Sequence, residues 1–381
     1  MRSKIRVLFA VVVCCLSAKV FCAVEMQGEF DAYRDQVAGE LVPDGTLGIL
    51  EAELVREGER WVLRGETTVE EAQRRIEGFA DALVGEGGWD DEFLLLGAES
   101  VGADCYGIVK ISTAHLRARP ALSAEMVDQA ILGRTVRLLK VEGGWSLVQT
   151  DYDYIGWMHS GSFYRTDDEG VHDWDQTKKV IVTSNAAVVY SEADSSSVPV
   201  TDVTLNALLR FHGADGGWTE VSTPDGRRGF IENGAVSQKR PVAQGGEELR
   251  KAVIRTARSM TGVSYLWGGN STKANDCSGF VQTVFRANGI ELPRDAHQQA
   301  TRGIEVKYGP EFAELRAGDL LFFGHGERVT HVGISLGGAR FIHQSDYVHV
   351  SSFDPNDGDF SGSLRKSLVT ARRVIEEPAG H

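Results

Sequence analysis

The sequence predicts a multidomain α+β chain, and three observations carry that prediction. The 43 glycines in 381 residues favour turn-rich β architecture over a helical bundle. Gly143-Gly144-Trp145 recurs as Gly216-Gly217-Trp218, each inside a run of short alternating segments. The last third of the chain reads as helices first and strands second. The expected layout is a small ββαβ unit within 24–104, two small β-barrels at 105–166 and 178–240, and a C-terminal α+β domain at 247–376.

The first residues stand outside that layout. Arg2, Lys4 and Arg6 precede an apolar run over 7–18, and small residues follow up to Ala23. This order reads as a secretory signal, residues 1–23, and predicts an exported, periplasmic or extracellular protein. The run is too short for a stable membrane span. No lipobox precedes Cys14, Cys15 or Cys22, so no lipid anchor is expected. Without 1–23 the chain keeps 36 basic and 54 acidic residues, a net charge of about −18. That surface disfavours nucleic acid. Only Cys105 and Cys277 remain, either as one disulfide or with Cys277 held free for chemistry.

In the N-terminal unit, "LGILEAELVREG" and "RWVLRGETT" read as strands turning near Gly58. In "TTVEEAQRRIEGFADALV", Thr67 or Thr68 caps a helix whose Ala72, Ile76, Phe79, Ala80 and Leu83 share one face. "EFLLLG" closes the unit as a strand.

Over 106–240 the offset between repeats stays constant. Leu132 aligns with Leu205, Val136 with Leu209, Leu138 with Phe211, and Gly156-Trp157 with Gly229-Phe230. The short strands and glycine turns of each copy resemble the bacterial SH3-like domain. "TDDEGVHDWDQT" reads as an acidic linker between the copies, and "QKRPVAQGGEE" as a second linker.

The last domain opens with the helix "EELRKAVIRTARSM" and ends in the strands "DLLFFG", "HVGISLG", "ARFIHQS" and "YVHVSS". Between them, Asn275 or Asp276 caps a helix that Gly289 ends, with Phe280, Val281, Val284 and Phe285 as its buried stripe. Cys277 falls in the first turn, where unpaired N–H groups favour a thiolate and can hold an oxyanion. Position alone leaves a second reading, a small buried residue under the helix.

A thiol nucleophile needs a base, and the base needs an orienting group. His331 and His343 lie on consecutive strands around Gly337-Gly338. A three-residue loop over 336–338 makes them direct partners on one face. A two-residue loop puts them on opposite faces, so the arrangement requires an odd loop or a bulge. His297 and His325 read as loop residues. No HExxH or CxxC spacing is present, so no metal is expected.

As a set, "YLWGG", "DCSGFV", "LPRDAHQQ", "AGDLLFF" and "HVGI…FIHQS" resemble, in order and spacing, the NlpC-type cell-wall cysteine peptidases, over about 250–350. The resemblance implies a rearranged papain-like fold, with Cys277 as nucleophile, His331 as base and His343 as third polar residue. It places Tyr265 beside the active site, and Asp276 and Ser278 flanking the nucleophile. The SH3-like layout is similar to one branch of that family. This implies cleavage of peptidoglycan stem peptides between γ-D-glutamate and the following diamino acid, with a free N-terminal L-alanine preferred. Glu125 and Tyr154 sit where that branch contacts substrate. Asp276 is expected to pair with the alanine ammonium, or else only to cap its helix. Ala296 departs from relatives that carry serine there. The resemblance implies a monomer without metal or organic cofactor. The alternatives are a wall-peptide binding protein with an inactive domain, or an amidase or acyltransferase of the same fold.

Overall fold

The computed structural model describes residues 24–239, 246–326 and 328–375, so the expected signal segment lies outside the described residues. The chain divides after Ala103 into two compact units.

The first unit begins with a helix over 24–41 that the sequence reading did not place. Strands Leu50–Glu57 and Arg60–Thr67 pair antiparallel, and Trp89–Leu95 adds parallel to the second. The crossover is the expected helix, Glu70–Val84, with Ala72, Ile76 and Ala80 buried. Its cap differs from expectation: Val69 is the N-cap, and Thr67 Oγ1 accepts from the Val69 amide just ahead of it. Phe30 and Val37 of the first helix complete this core, which explains its missing signal: its apolar positions are few and serve a local partner.

From Asp104 the second unit holds two seven-stranded sheets with one order. Strand Thr113–Arg117 returns as Ala186–Tyr190, Thr135–Glu142 as Leu208–Asp215, and Ile155–His159 as Arg228–Glu232. Even the bulge repeats, after Leu138 in one sheet and after Phe211 in the other. Both Gly-Gly turns need positive φ at two successive residues, +53° and +87° in the first and +55° and +93° in the second. Only glycine takes both without strain. The acidic segment between the sheets is not a plain linker. It forms the helix Asp168–Gln176, capped by Asp167, and buries Trp174, whose indole N–H donates to Gly133 O at 3.0 Å. A single tryptophan in a charged run gives little periodicity, so only tertiary packing reveals the helix.

The C-terminal region has helices Gly246–Ser259 and Cys277–Ala287 against a six-stranded sheet. Four of its strands are Leu320–His325, Arg328–Gly337, Arg340–Gln344 and Val348–Ser352, in consecutive antiparallel pairs. A fifth, Leu368–Arg373, pairs with Leu320–His325 and extends the strand block beyond the sequence reading. Phe280, Val281, Val284 and Phe285 pack on Phe322, Val332, Ile334 and Ile342 in one core. Each such side chain contributes about 1.5–3 kcal/mol by leaving water. The cysteine at the head of this helix is thereby fixed against the strand that carries His331.

Candidate active site

Asp276 is the N-cap of the helix Cys277–Ala287, and its Oδ1 accepts from the Gly279 amide at 2.8 Å. Cys277 therefore occupies the first helical position, as expected. It is a free thiol, and so is Cys105, so the disulfide alternative is excluded. The amides of Val332 and Ser278 reach the sulfur and pull its pKa down. Burial and the Asp276 carboxylate outweigh them and push it up to about 12. The helix terminus thus acts in the direction the sequence predicts, and burial with the Asp276 carboxylate opposes it. Val332, whose amide reaches the sulfur, follows His331 directly in the strand Arg328–Gly337.

His331 Nε2 lies 2.9 Å from His343 Nδ1. The two share one face, but not as direct partners. Gly333 faces His343, and the chain reverses at Gly338-Ala339 with a bulge between Ser335 and Gly337. The bulge satisfies the parity the sequence demanded and shifts the pair to a diagonal. A Cβ on Gly333 would come within 3.0 Å of His343 Cβ, so the glycine leaves the room in which His343 meets His331. Burial, then the charge of His349, draws His331 down to about 4. Burial, then His331 and His349, draws His343 down to about 3. Both rings are therefore neutral near pH 7. With Nε2 of His331 bonded to His343, Nδ1 is its nitrogen open to a thiol. Two residues absent from the sequence reading complete the cluster. His349 faces His343 across the next strand pair, ring centroids 4.5 Å apart, and Ser351 Oγ lies 3.1 Å from His343 Nε2. Their signal was the alternation in "YVHVSS", which puts both on the face of His343.

A cleft of about 480 Å³ opens at Cys277. It brings together Tyr265, Asp276 and Ser278 with Glu125 and Tyr154 of the first SH3-like domain, all named from the sequence. Tyr265 is raised to about 12 by burial, Cys277 and Asp276, and so keeps its proton as a donor. Trp267 donates to Glu125 Oε1 at 2.7 Å across the cleft rim, and Tyr154 Oη donates to Asp295 Oδ2 at 3.3 Å. Asp295 and His297 also line it. His297 is thus no loop residue: it lies on the short helix Ala296–Gln299, whereas His325 ends a strand and is exposed. Ala296 puts a methyl group at the cleft wall where a serine would add a hydroxyl.

Asp276, expected to pair with an ammonium or only to cap its helix, both caps the helix and lines the cleft, and its oxygens are already hydrogen-bonded. Oδ2 accepts from the Gly268 amide at 3.0 Å and from Arg294 Nη2 at 2.6 Å; Oδ1 accepts from Gly279, from Ser278 Oγ at 3.2 Å and from Arg294 Nη1 at 3.1 Å. Its acceptor capacity is committed. Ser278 is likewise engaged, accepting from Arg294 at 2.9 Å. Arg294 also donates through Nε to Asp128 of the first SH3-like domain at 2.5 Å. Burial alone would lower the Arg294 pKa, but Asp276 and Asp128 outweigh it and keep the guanidinium charged. This buried bridge fixes the SH3-like wall to the floor of the cleft. Gly268 marks a close approach of the two domains: a Cβ there would meet Met126 O at 2.3 Å.

A free thiol at a helix start, a bonded imidazole pair on the sheet that the helix packs against and a walled cleft at the thiol, on an α+β frame, define a cysteine peptidase. Residues 262–369 match the NlpC/P60 family, and residues 116–163 match the bacterial dipeptidyl-peptidase SH3 domain. The gamma-D-glutamyl-L-lysine dipeptidyl-peptidase of Bacillus subtilis is 30% identical over 226 residues, 56% of this chain and 71% of that protein. Dipeptidyl-peptidase 6 of Lysinibacillus sphaericus is 29% identical over 258 residues, 65% of this chain and 91% of that protein. The crystal structure of an NlpC/P60 family protein from Bacillus cereus superposes with a TM-score of 0.60 at 23% identity, covering 71% of this chain and all of that one. The chain belongs to the NlpC/P60 family of cysteine peptidases that act on peptidoglycan peptides.

Proposed function

We propose that this peptidase cuts stem peptides after γ-D-glutamate and takes those whose L-alanine amine is free. The observation that carries the reading is the acidic wall of the cleft. Glu125 and Tyr154 from the SH3-like domain and Asp295 from the peptidase domain converge there, beside the cysteine. An SH3-like wall on the cleft that holds the thiol limits the segment before the scissile bond to a short one, and the carboxylates of that cleft match an ammonium. With Asp276 committed to Arg294, Asp295 is assigned the role of ammonium anchor.

In the reaction, the Cys277 proton passes to His331 Nδ1 as the sulfur attacks the γ-glutamyl carbonyl. The Val332 and Ser278 amides steady the charge on the sulfur, and Tyr265 donates toward the oxyanion. His331 gives the proton to the leaving amine, then takes one from the water that opens the thioester. The protein works outside the cytoplasm on wall peptide, exported by residues 1–23.

The test is a digest of defined stem peptides, free and N-acetylated, followed by mass spectrometry. Release of L-Ala-γ-D-Glu is expected from the free peptide, with none from Cys277→Ala. Asp295→Asn is expected to raise KM for the free peptide by about ten-fold or more. Equal cleavage of acetylated and free peptide would sink the anchor, and release of stems from sugar would make the enzyme an amidase.

A further inference from the structure

His331, His343 and Ser351 lie on three neighbouring strands and step along one diagonal of the sheet face. Gly333 opposes His343 on one side, and His349 opposes it on the other. His331 is two residues before Gly333, and Ser351 is two residues after His349, so each link is a diagonal contact on that face. The links are short: 2.9 Å from His331 Nε2 to His343 Nδ1, and 3.1 Å from His343 Nε2 to Ser351 Oγ. His343 is 2% exposed and Ser351 5%, so bulk water does not replace either partner.

We propose that Ser351 is a positioning residue for the reaction, acting through the proton on His343. The inference rests on the proposed roles of Cys277 and His331. Once His331 has taken the thiol proton at Nδ1, its Nε2 also carries one and must donate. His343 Nδ1 must then accept, which forces the His343 proton onto Nε2. A buried Nε2–H needs an acceptor, and Ser351 Oγ is the atom in reach. The hydroxyl therefore stabilises the state in which His331 is charged. Before proton transfer the chain has a second arrangement, with Ser351 donating to His343 and Nδ1–H of His343 donating to His331. That arrangement leaves His331 with a hydrogen on Nδ1 and no lone pair for the thiol. Ser351 serves both arrangements, but only the reactive one requires it as an acceptor.

Ser351→Ala removes the acceptor and leaves the reactive tautomer with an orphaned N–H. The expected result is a fall in kcat of about ten-fold or more with KM within about two-fold, because no substrate contact is lost. Ser351→Thr restores most of kcat, since it returns the hydroxyl. The second measurement needs no turnover: nitrogen-15 NMR of the labelled histidines reads which ring nitrogen bears the proton. In the unsubstituted protein His331 and His343 are expected as Nε2–H tautomers. In Ser351→Ala, His343 shifts toward Nδ1–H. An unchanged kcat in Ser351→Ala overturns the proposal, as does an Nδ1 proton on His343 in the unsubstituted protein. Failure of the unsubstituted enzyme to cut stem peptides would instead strike the proposed function, with the tautomers still readable.

Discussion

At the scale of single residues, the site works by neutrality. Burial raises the thiol and lowers both imidazoles, so Cys277 and His331 rest uncharged and meet substrate without an ion pair to break. This has a consequence for pH. The form of His331 that accepts the thiol proton is the neutral one. An ordinary imidazole would lose that form below about pH 6.5, whereas His331 keeps it down to about 4. The acidic limb of kcat/KM is therefore expected near pH 4, with little loss between pH 7 and about 5.5. Initial rates across this range check it, and a half-point near 6.5 would mean that the imidazole is not shielded. The sequence located Cys277, His331 and His343 by capping and alternation. It did not locate Asp295 as a cleft carboxylate, because the stretch "LPRDAHQQ" says nothing of what lies across the gap.

At the scale of elements, the hairpin over 328–344 decides whether the two histidines meet. Its bulge between Ser335 and Gly337 shifts the pairing, and Gly333 clears the position opposite His343. Gly333→Ala puts a methyl group against the His343 Cβ. That strand neighbour has little freedom to move, so the imidazole is pushed off the 2.9 Å line to His331. The expected outcome is a loss of kcat of about ten-fold or more with a cooperative melting transition retained. Steady-state rates and thermal unfolding on one preparation separate the two. Full activity would show that the ring has room to spare. The repeat of the SH3-like sheets was legible strand by strand, since Gly-Gly-Trp turns encode both the reversal and the register. The helix Asp168–Gln176 was not, because Trp174 alone carries its packing.

At the scale of the whole molecule, the cleft exists because the first SH3-like domain is bolted to the peptidase domain through Arg294. Asp128 and Asp276 accept from that guanidinium, and Tyr152 and Asn270 in turn donate to Asp128. Asp128→Ala leaves Arg294 Nε and the Tyr152 hydroxyl without their acceptor. The expected cost is about 3–5 kcal/mol of unfolding free energy, read by urea denaturation, with KM for free stem peptide raised as the wall loosens. A cost below about 1 kcal/mol would show that the bridge does not hold the wall. What the sequence by itself determined is local: the repeated β units, the helix led by Cys277, and two histidines on adjoining strands. Periodicity, caps and glycine turns write these into neighbouring residues, within reach of one or two turns of chain. The tertiary structure alone decided how charge and space are shared. Asp276 is consumed by Arg294, which in turn reaches Asp128 across 166 residues of sequence. Ser351 and His349 join the histidine pair through sheet register, and burial together with the Asp276 carboxylate pushes the thiol pKa up. Burial and side-chain pairing depend on what long-range packing brings alongside, and no local pattern in the chain records that.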